Sequence, residues 1–247
     1  SYIYGKPAMD LIFERMPATL ELVAVAACLV LCIAIPLGVY AGAYPKRASS
    51  KLIMSGSILG ISLPSFWVGM MMIYIFAVVL RLLPASGRGN TVMVGNVALS
   101  IFAPGGIRYV ILPAITLALT NVATMLRLTR SGILENMRQD YIKFARAKGV
   151  PAKSILFGHA LKNALIPVVT VIGLQFGSLL GGATLTETVF AWPGVGRLLV
   201  DSIKSKDAPL VLGGVIMMTI TFSIVNLCVD ILYAFIDPRI KAQYKKK

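Results

Sequence analysis

"LVAVAACLVLCIAIPLGVYAGAYP", residues 22–45, decides what kind of molecule this is. It runs for 24 positions without a charged side chain. As an α-helix it extends about 36 Å, more than the roughly 30 Å of hydrocarbon in a bilayer. Four more charge-free intervals follow, at 52–80, 109–126, 163–186 and 208–229. Hydrocarbon offers the backbone no water, so such segments cross it as helices. The composition agrees, at 57% hydrophobic and 14% charged residues, where a soluble domain carries about 25% charged.

The pattern predicts an all-α polytopic membrane protein with five visible transmembrane helices, at about 18–44, 52–80, 109–128, 164–185 and 209–235. Residues 1–17 form an extracytoplasmic lead-in, 18–238 the transmembrane domain and 239–247 a basic tail. Pro17 and Thr19 suit a helix start, and the fourth span is expected to follow Pro167. Residues 89–107 are uncharged too, but they hold four glycines, two asparagines and a proline. They read as a loop with a short interfacial segment.

Charge sets the orientation. The net charge is +14, which in a soluble protein would suggest nucleic acid; here its distribution points to a bilayer instead. The loops 44–51, 127–162 and 236–247 hold 16 of the 24 Lys and Arg residues, whereas 1–21, 81–108 and 185–207 hold 8 against 6 acids. Positive loops stay in the cytoplasm, so the chain starts outside and ends inside. That topology leads us to expect a further span ahead of Ser1, six in all. Cys28, Cys32 and Cys228 fall inside predicted spans and read as small packing residues. The methionines at 70–72 and 217–218 read as apolar filling, and no metal-site spacing is present.

No P-loop, His-Glu-x-x-His or Gly-x-Ser-x-Gly sequence occurs. Glu21, Glu187 and Asp230 are too scattered for a proton relay, and Asp230 reads as pairing with a loop cation. A pore driven by something else fits better than an enzyme or an ion-driven carrier.

The one long basic stretch is "DYIKFARAKGVPAKSILFGHALKN", residues 140–163, with Lys143, Arg146, Lys148, Lys153, Lys162 and the single histidine, His159. It is helix-favouring up to Ala147, Gly149 permits a turn, and Pro151 can open a new helix. Ala145 and Ala147 leave the backbone approachable. The cations suit an acidic protein surface or anionic headgroups.

"ARAKG" followed by "HALKNALIPVVT" resembles the cytoplasmic EAA loop of ABC-importer permeases of the dipeptide/oligopeptide/nickel branch. "ERMPATLEL", "SLPSFWVG", "LPAITLAL", "LLGGATLTETVFAWPGVGRLLVDSI" and "NLCVDILYAFIDPRI" look like the same branch. The loop departs from the general EAA pattern, with Lys143, Phe144 and Ala145 before the glycine and His159-Ala160-Leu161-Lys162 after it. The resemblance implies a non-catalytic permease that forms half of a translocation path for di- or oligopeptides, in the bacterial inner membrane. Implied partners are a second homologous permease as a heterodimer, two ATP-binding subunits and an extracytoplasmic binding protein. ATP and Mg would be used by those subunits, and no cofactor bound by this chain. Lys143, Ala145, Arg146, Ala147, Lys148, Gly149, Lys153 and His159 would dock on an ATPase as a coupling helix.

Gly173, Gly177 and Gly181 form a stripe that allows close helix approach, either for packing within the subunit or for a subunit interface or gate, with Gln175 and Ser178 beside the path. Glu187, Trp192, Pro193 and Gly194 belong to an extracytoplasmic element that anchors helices at the membrane interface or, as the family implies, meets the binding protein or caps the pore. The alternatives are a nickel or other small-solute importer, an ion-coupled carrier, which would need an embedded ion site and inverted repeats, and a membrane-embedded hydrolase.

Overall fold

The computed structural model describes residues 1–95 and 97–236. The chain is mostly helical: α1 (Ala8–Ala43), α2 (Ala48–Ser62), α3 (Ser65–Met72), α4 (Ile107–Asn136), α5 (Asp140–Ala147), α6 (Ala152–Ser154), α7 (Leu161–Val189), α8 (Val195–Lys204) and α9 (Ala208–Ile236). A π-helical segment, Ile73–Val79, continues α3, and another, Ile155–Ala160, joins α6 to α7. Two short strands, β1 (Val92–Val94) and β2 (Val97–Leu99), pair antiparallel in the register Val92 to Leu99 and Val94 to Val97. The uncharged interval 89–107 is thus not a span, and it holds a hairpin that its glycines did not announce.

By length and composition α1, α4, α7 and α9 each suffice to cross a membrane. The remaining interval is the exception. The helix expected over 52–80 is interrupted at Leu63 and Pro64, so α2 and α3 qualify only as a joined pair. Pro64 has no N–H and disfavours helical backbone at the residue before it. The other proline expectations need correction. α1 begins at Ala8, not after Pro17, and α7 begins before Pro167, running through it to Val189. In α1 the first turns are held by burial, since Leu11, Ile12 and Met16 pack into one core with Val195, Leu198 and Leu210. α4 likewise continues beyond Arg127 and Arg130 to Asn136.

The chain packs as two units, which α1, α4, α7 and α9 each enter. The first comprises Ser1–Leu29, Leu63–Leu119 and Phe176–Ile224. Its apolar core joins Leu11, Ile12 and Met16 of α1 to Val195 and Leu198 of α8 and Leu210 of α9, with Met217 and Met218 filling against them. The second comprises Val30–Ser62, Thr120–Gln175 and the described residues from Val225. There α1 and α4 approach closely at Gly38 and Gly42. An added Cβ would lie 2.6 Å from Thr129 Cβ at the first and 2.7 Å from Ile133 Cβ at the second. With no hydrophobic drive between helices in lipid, such close approach supplies the packing attraction.

Cys28, Cys32 and Cys228 are exposed, contrary to the packing role expected for them. The described residues leave these positions uncovered, so apolar composition did not mean internal packing. The pairing expected of Asp230 and the tail 239–247 lie outside the described residues and side chains.

Because the native thiols are exposed, topology is best read in a variant lacking all three. A membrane-impermeant maleimide should label Ala48→Cys from the cytoplasmic side and Ser205→Cys from the opposite side, both positions being exposed or at a helix start. Labelling of both from one side would overturn the alternation.

Candidate functional site

The basic stretch builds a compact two-helix element. α5 ends in a left-handed glycine: Gly149 has φ +77° and donates its N–H to Arg146 O at 3.0 Å, while Val150 N–H reaches Ala145 O at 3.2 Å. These two bonds make a Schellman cap, which satisfies carbonyls that a helix end leaves free. Nothing lies within 4 Å of an added Cβ at Gly149. Backbone conformation, not space, demands glycine there. Pro151 then precedes α6 as its N-terminal flank.

The element is held on its inner side by Ile142 and Ile155, both buried, packed with Val39, Ile133, Ala160 and Ala164. Ala145 and Val150 pack beside them, so Ala145 is drawn into the core and is only partly approachable. A polar chain fixes the same joint. Tyr141 donates to Asn136 Oδ1 at 2.9 Å and accepts from Asn163 at 3.0 Å, tying the end of α4, α5 and the start of α7. Gly132 adds a close approach of α4 to Ala164 of α7, 3.2 Å from an added Cβ.

Facing away from that core are Lys143, Arg146, Ala147, Lys148, Gly149, Lys153 and His159, all exposed. Asp140 pairs with Lys143 at 2.8 Å, and that hydrogen bond holds its carboxyl below the ordinary value. Two aromatics share the surface: Phe144 is 63% and Phe157 53% exposed. Lys148 Nζ sits 4.6 Å from the Phe144 ring centroid. An exposed phenylalanine among cations is the informative feature, because water disfavours it and the described residues leave most of it uncovered.

At the other candidate site, Glu187 and Trp192 are fully buried. The interfacial place expected for Trp192 is therefore corrected: its indole N–H donates to Ala18 O at 2.8 Å inside the first unit. Glu187 accepts from Thr19 Oγ1 at 2.6 Å and from Arg197 N–H at 3.0 Å. Thr19 Oγ1 in turn accepts from Val195 N–H at 2.8 Å. A distant carboxylate and a hydroxyl thus cap α8, whose own N-cap, Gly194, has no side chain to do so. Gly194 is required by space: an added Cβ would overlap the Glu187 carboxylate. Pro193 is half-buried beside it. The "TETVFAWPGVG" stretch is an internal joint, with Glu187, Trp192 and Gly194 turned inward.

Glu21 completes the joint. It forms a buried ion pair with Arg88, whose Nε lies 2.9 Å away, and accepts from Ser100 N–H and Ile101 N–H, both at 2.7 Å. Arg88 lies over Trp192, 5.7 Å from the ring centroid.

The glycine stripe divides. Gly173 lies against Val229, with 2.6 Å to an added Cβ, and Gly177 against the Phe222 ring, where a Cβ would overlap it. Both contacts are to α9 of the same chain. Gly181 has open space around it, and Ser178 is exposed, with Gln175 half-buried.

Comparison with known proteins places this arrangement. Residues 34–242 match the family described as binding-protein-dependent transport system inner membrane component. The chain belongs to this family. It is 40% identical to the dipeptide transport system permease protein of Alkalihalophilus pseudofirmus over 96% of this chain and 75% of that one. It is likewise 40% identical to the oligopeptide transport system permease protein of Bacillus subtilis, over 96% of this chain and 73% of the other. Among solved structures, an inward-facing methionine ABC transporter shares the fold with TM-score 0.73 at 17% identity, over 94% of this chain and 99% of that one.

In this permease, sequence reading missed Thr19, Arg88, Asn136, Tyr141 and Asn163 as joint residues. Glu21 and Arg88 are 67 positions apart, and nothing local links them. Gly38 and Gly42 were missed as well, although the spacing of four that they share with Gly173 and Gly177 was a signal that could have found them.

Replacing Glu187 by Ala should leave the Arg197 N–H in α8's first turn and the Thr19 hydroxyl proton without their acceptor and cost the permease about 3 kcal/mol of stability. Thermal unfolding of the purified permease reads this, and an unchanged midpoint would sink the capping role. Gly149→Ala should cost about 1 kcal/mol through its left-handed backbone. Gly149→Pro should cost more, since it also loses the N–H bond to Arg146.

Proposed function

We propose that this chain is the permease subunit of an ABC importer of di- or oligopeptides, and that residues 140–163 dock on a cytoplasmic ATPase. One observation carries the substrate class: relatives about 40% identical over nearly the whole chain are named for dipeptide and oligopeptide transport. Membership in a binding-protein-dependent family speaks against the ion-coupled carrier. No observation favours nickel over peptide.

The docking reading rests on the shape and chemistry of the loop. A short helix locked to α4 and α7 by Ile142, Ile155 and the Asn136–Tyr141–Asn163 chain transmits a push to both long helices. Its exposed residues include Phe144, with Lys148 against its ring, and Phe157, together with Lys143, Arg146 and Lys153. The matching surface is an apolar pocket with an acidic rim. There the aromatic side chain supplies affinity, and the charges supply orientation and encounter rate. ATP and Mg belong to the partner ATPases in this reading. A second homologous permease completes the path, a binding protein delivers peptide at the outer side, and the carboxyl terminus is cytoplasmic.

Phe144→Ala should weaken ATPase binding about tenfold, equivalent to about 1.4 kcal/mol. The permease's own thermal stability should not change, because Phe144 is largely exposed. Equal affinity for variant and wild type, measured by titration with the isolated ATPases, would remove Phe144 from the contact. Gly177→Leu should still insert and bind the ATPases while uptake of labelled dipeptide into proteoliposomes fails, because leucine must displace Phe222 of α9. Normal uptake would show that this helix contact does not bear on transport. Nickel uptake without peptide uptake by the complete complex would overturn the substrate class.

A further inference from the structure

The segment between α3 and α4 carries an apolar surface that no other described part of the chain covers. Val92, Met93, Val94 and Val97 are exposed, Met93 to 63%. The strand register puts Val92, Val94, Val97 and Leu99 on one face and Met93 and Ala98 on the other. The hairpin is therefore apolar on both faces. A protein surface laid against one face would leave the other in water, whereas acyl chains meet both. Phe102, 65% exposed, stands just beyond the second strand.

The base of the hairpin is pinned in depth. Glu21 holds Arg88 on one side of it and the Ser100 and Ile101 amides on the other. Glu21 is also the last charged residue before the 24 uncharged positions that begin at Leu22. The hydrocarbon boundary of α1 and the base of the hairpin therefore lie at the same level. Exposed Arg81 and Arg108 stand at the segment's two ends, and Arg108 ties them together by donating to Leu82 O at 3.0 Å.

We propose that the hairpin, with Phe102, inserts shallowly into the bilayer at the Glu21 end of the bundle, its side chains among the upper acyl chains. The open strand edges limit the depth, because their unpaired amides need water or headgroup partners. The hairpin then fixes the height and tilt of α3 and α4 in the membrane. The proposal rests on α1 crossing the bilayer and not on the identity of the cargo.

The test uses the complete importer in phosphatidylcholine vesicles with 20% phosphatidylglycerol (about the anionic share of a bacterial membrane). Met93→Cys and, separately, Val97→Cys carry an environment-sensitive fluorophore in a variant lacking the native cysteines, with Ser86→Cys as the solvent reference. A shallow doxyl lipid should quench the label at either hairpin position about twofold more than at Ser86, and more than a deep doxyl lipid does, without binding protein present. Quenching by aqueous iodide that disappears only when binding protein is added would overturn the proposal in favour of a protein partner. Protection from iodide and from both doxyl lipids would overturn it in favour of cover by another subunit. Depth is read without transport, so a wrong substrate class would leave this result standing.

Discussion

The constraint on which the rest depends is that hydrocarbon gives the backbone no partner. Each spanning segment must then satisfy its amides within its own helix, which fixes the class of the molecule and leaves side chains to decide how helices meet. In the second unit they meet through glycine, with Gly38 and Gly42 letting α1 touch Thr129 and Ile133 of α4. Gly173 does the same for Val229. Bulky side chains at these positions would hold the helices apart and forfeit dispersion contacts that water exclusion cannot replace in lipid.

Polar groups are concentrated where the constraint relaxes, near helix ends, and there they are paired. Thr19, Glu21, Arg88, Glu187 and Trp192 form one buried joint in the first unit, binding α1, the 81–106 segment, α7 and α8. A buried ion pair of this kind adds little net stability against an apolar substitute, but removing one partner leaves an uncompensated charge. Its effect is to specify geometry. The Asn136–Tyr141–Asn163 chain does the corresponding work beside α5 in the second unit. In the proposed function, transmission of movement needs both joints rigid.

The candidate docking surface shows how far sequence reading reaches. The helix, the glycine turn at Gly149 and the following helix were all legible, because each is a local backbone matter. Phe144 and Ile142 were not distinguishable by sequence. Both are apolar and two positions apart on one short helix, yet Ile142 is buried and Phe144 is not. Only the position of α4 and α7 selects which face turns inward. Trp192 makes the same point in reverse, since its type suits a membrane interface and its neighbours bury it.

By itself the sequence determined the membrane-spanning class, the approximate helix count and the basic loop, because hydropathy and charge act over tens of residues and need no partner. It also located Gly149 and the α7 glycines by spacing. The tertiary structure decided where prolines interrupt a helix and where they do not. It decided which glycines serve close contact, since Gly177 meets Phe222 while Gly181 faces open space. It alone brought Glu21 to Arg88 and Thr19 to Glu187, pairs separated by 67 and 168 residues. Such pairing depends on which helices pack together, and that follows from the summed fit of many side chains that no local pattern encodes.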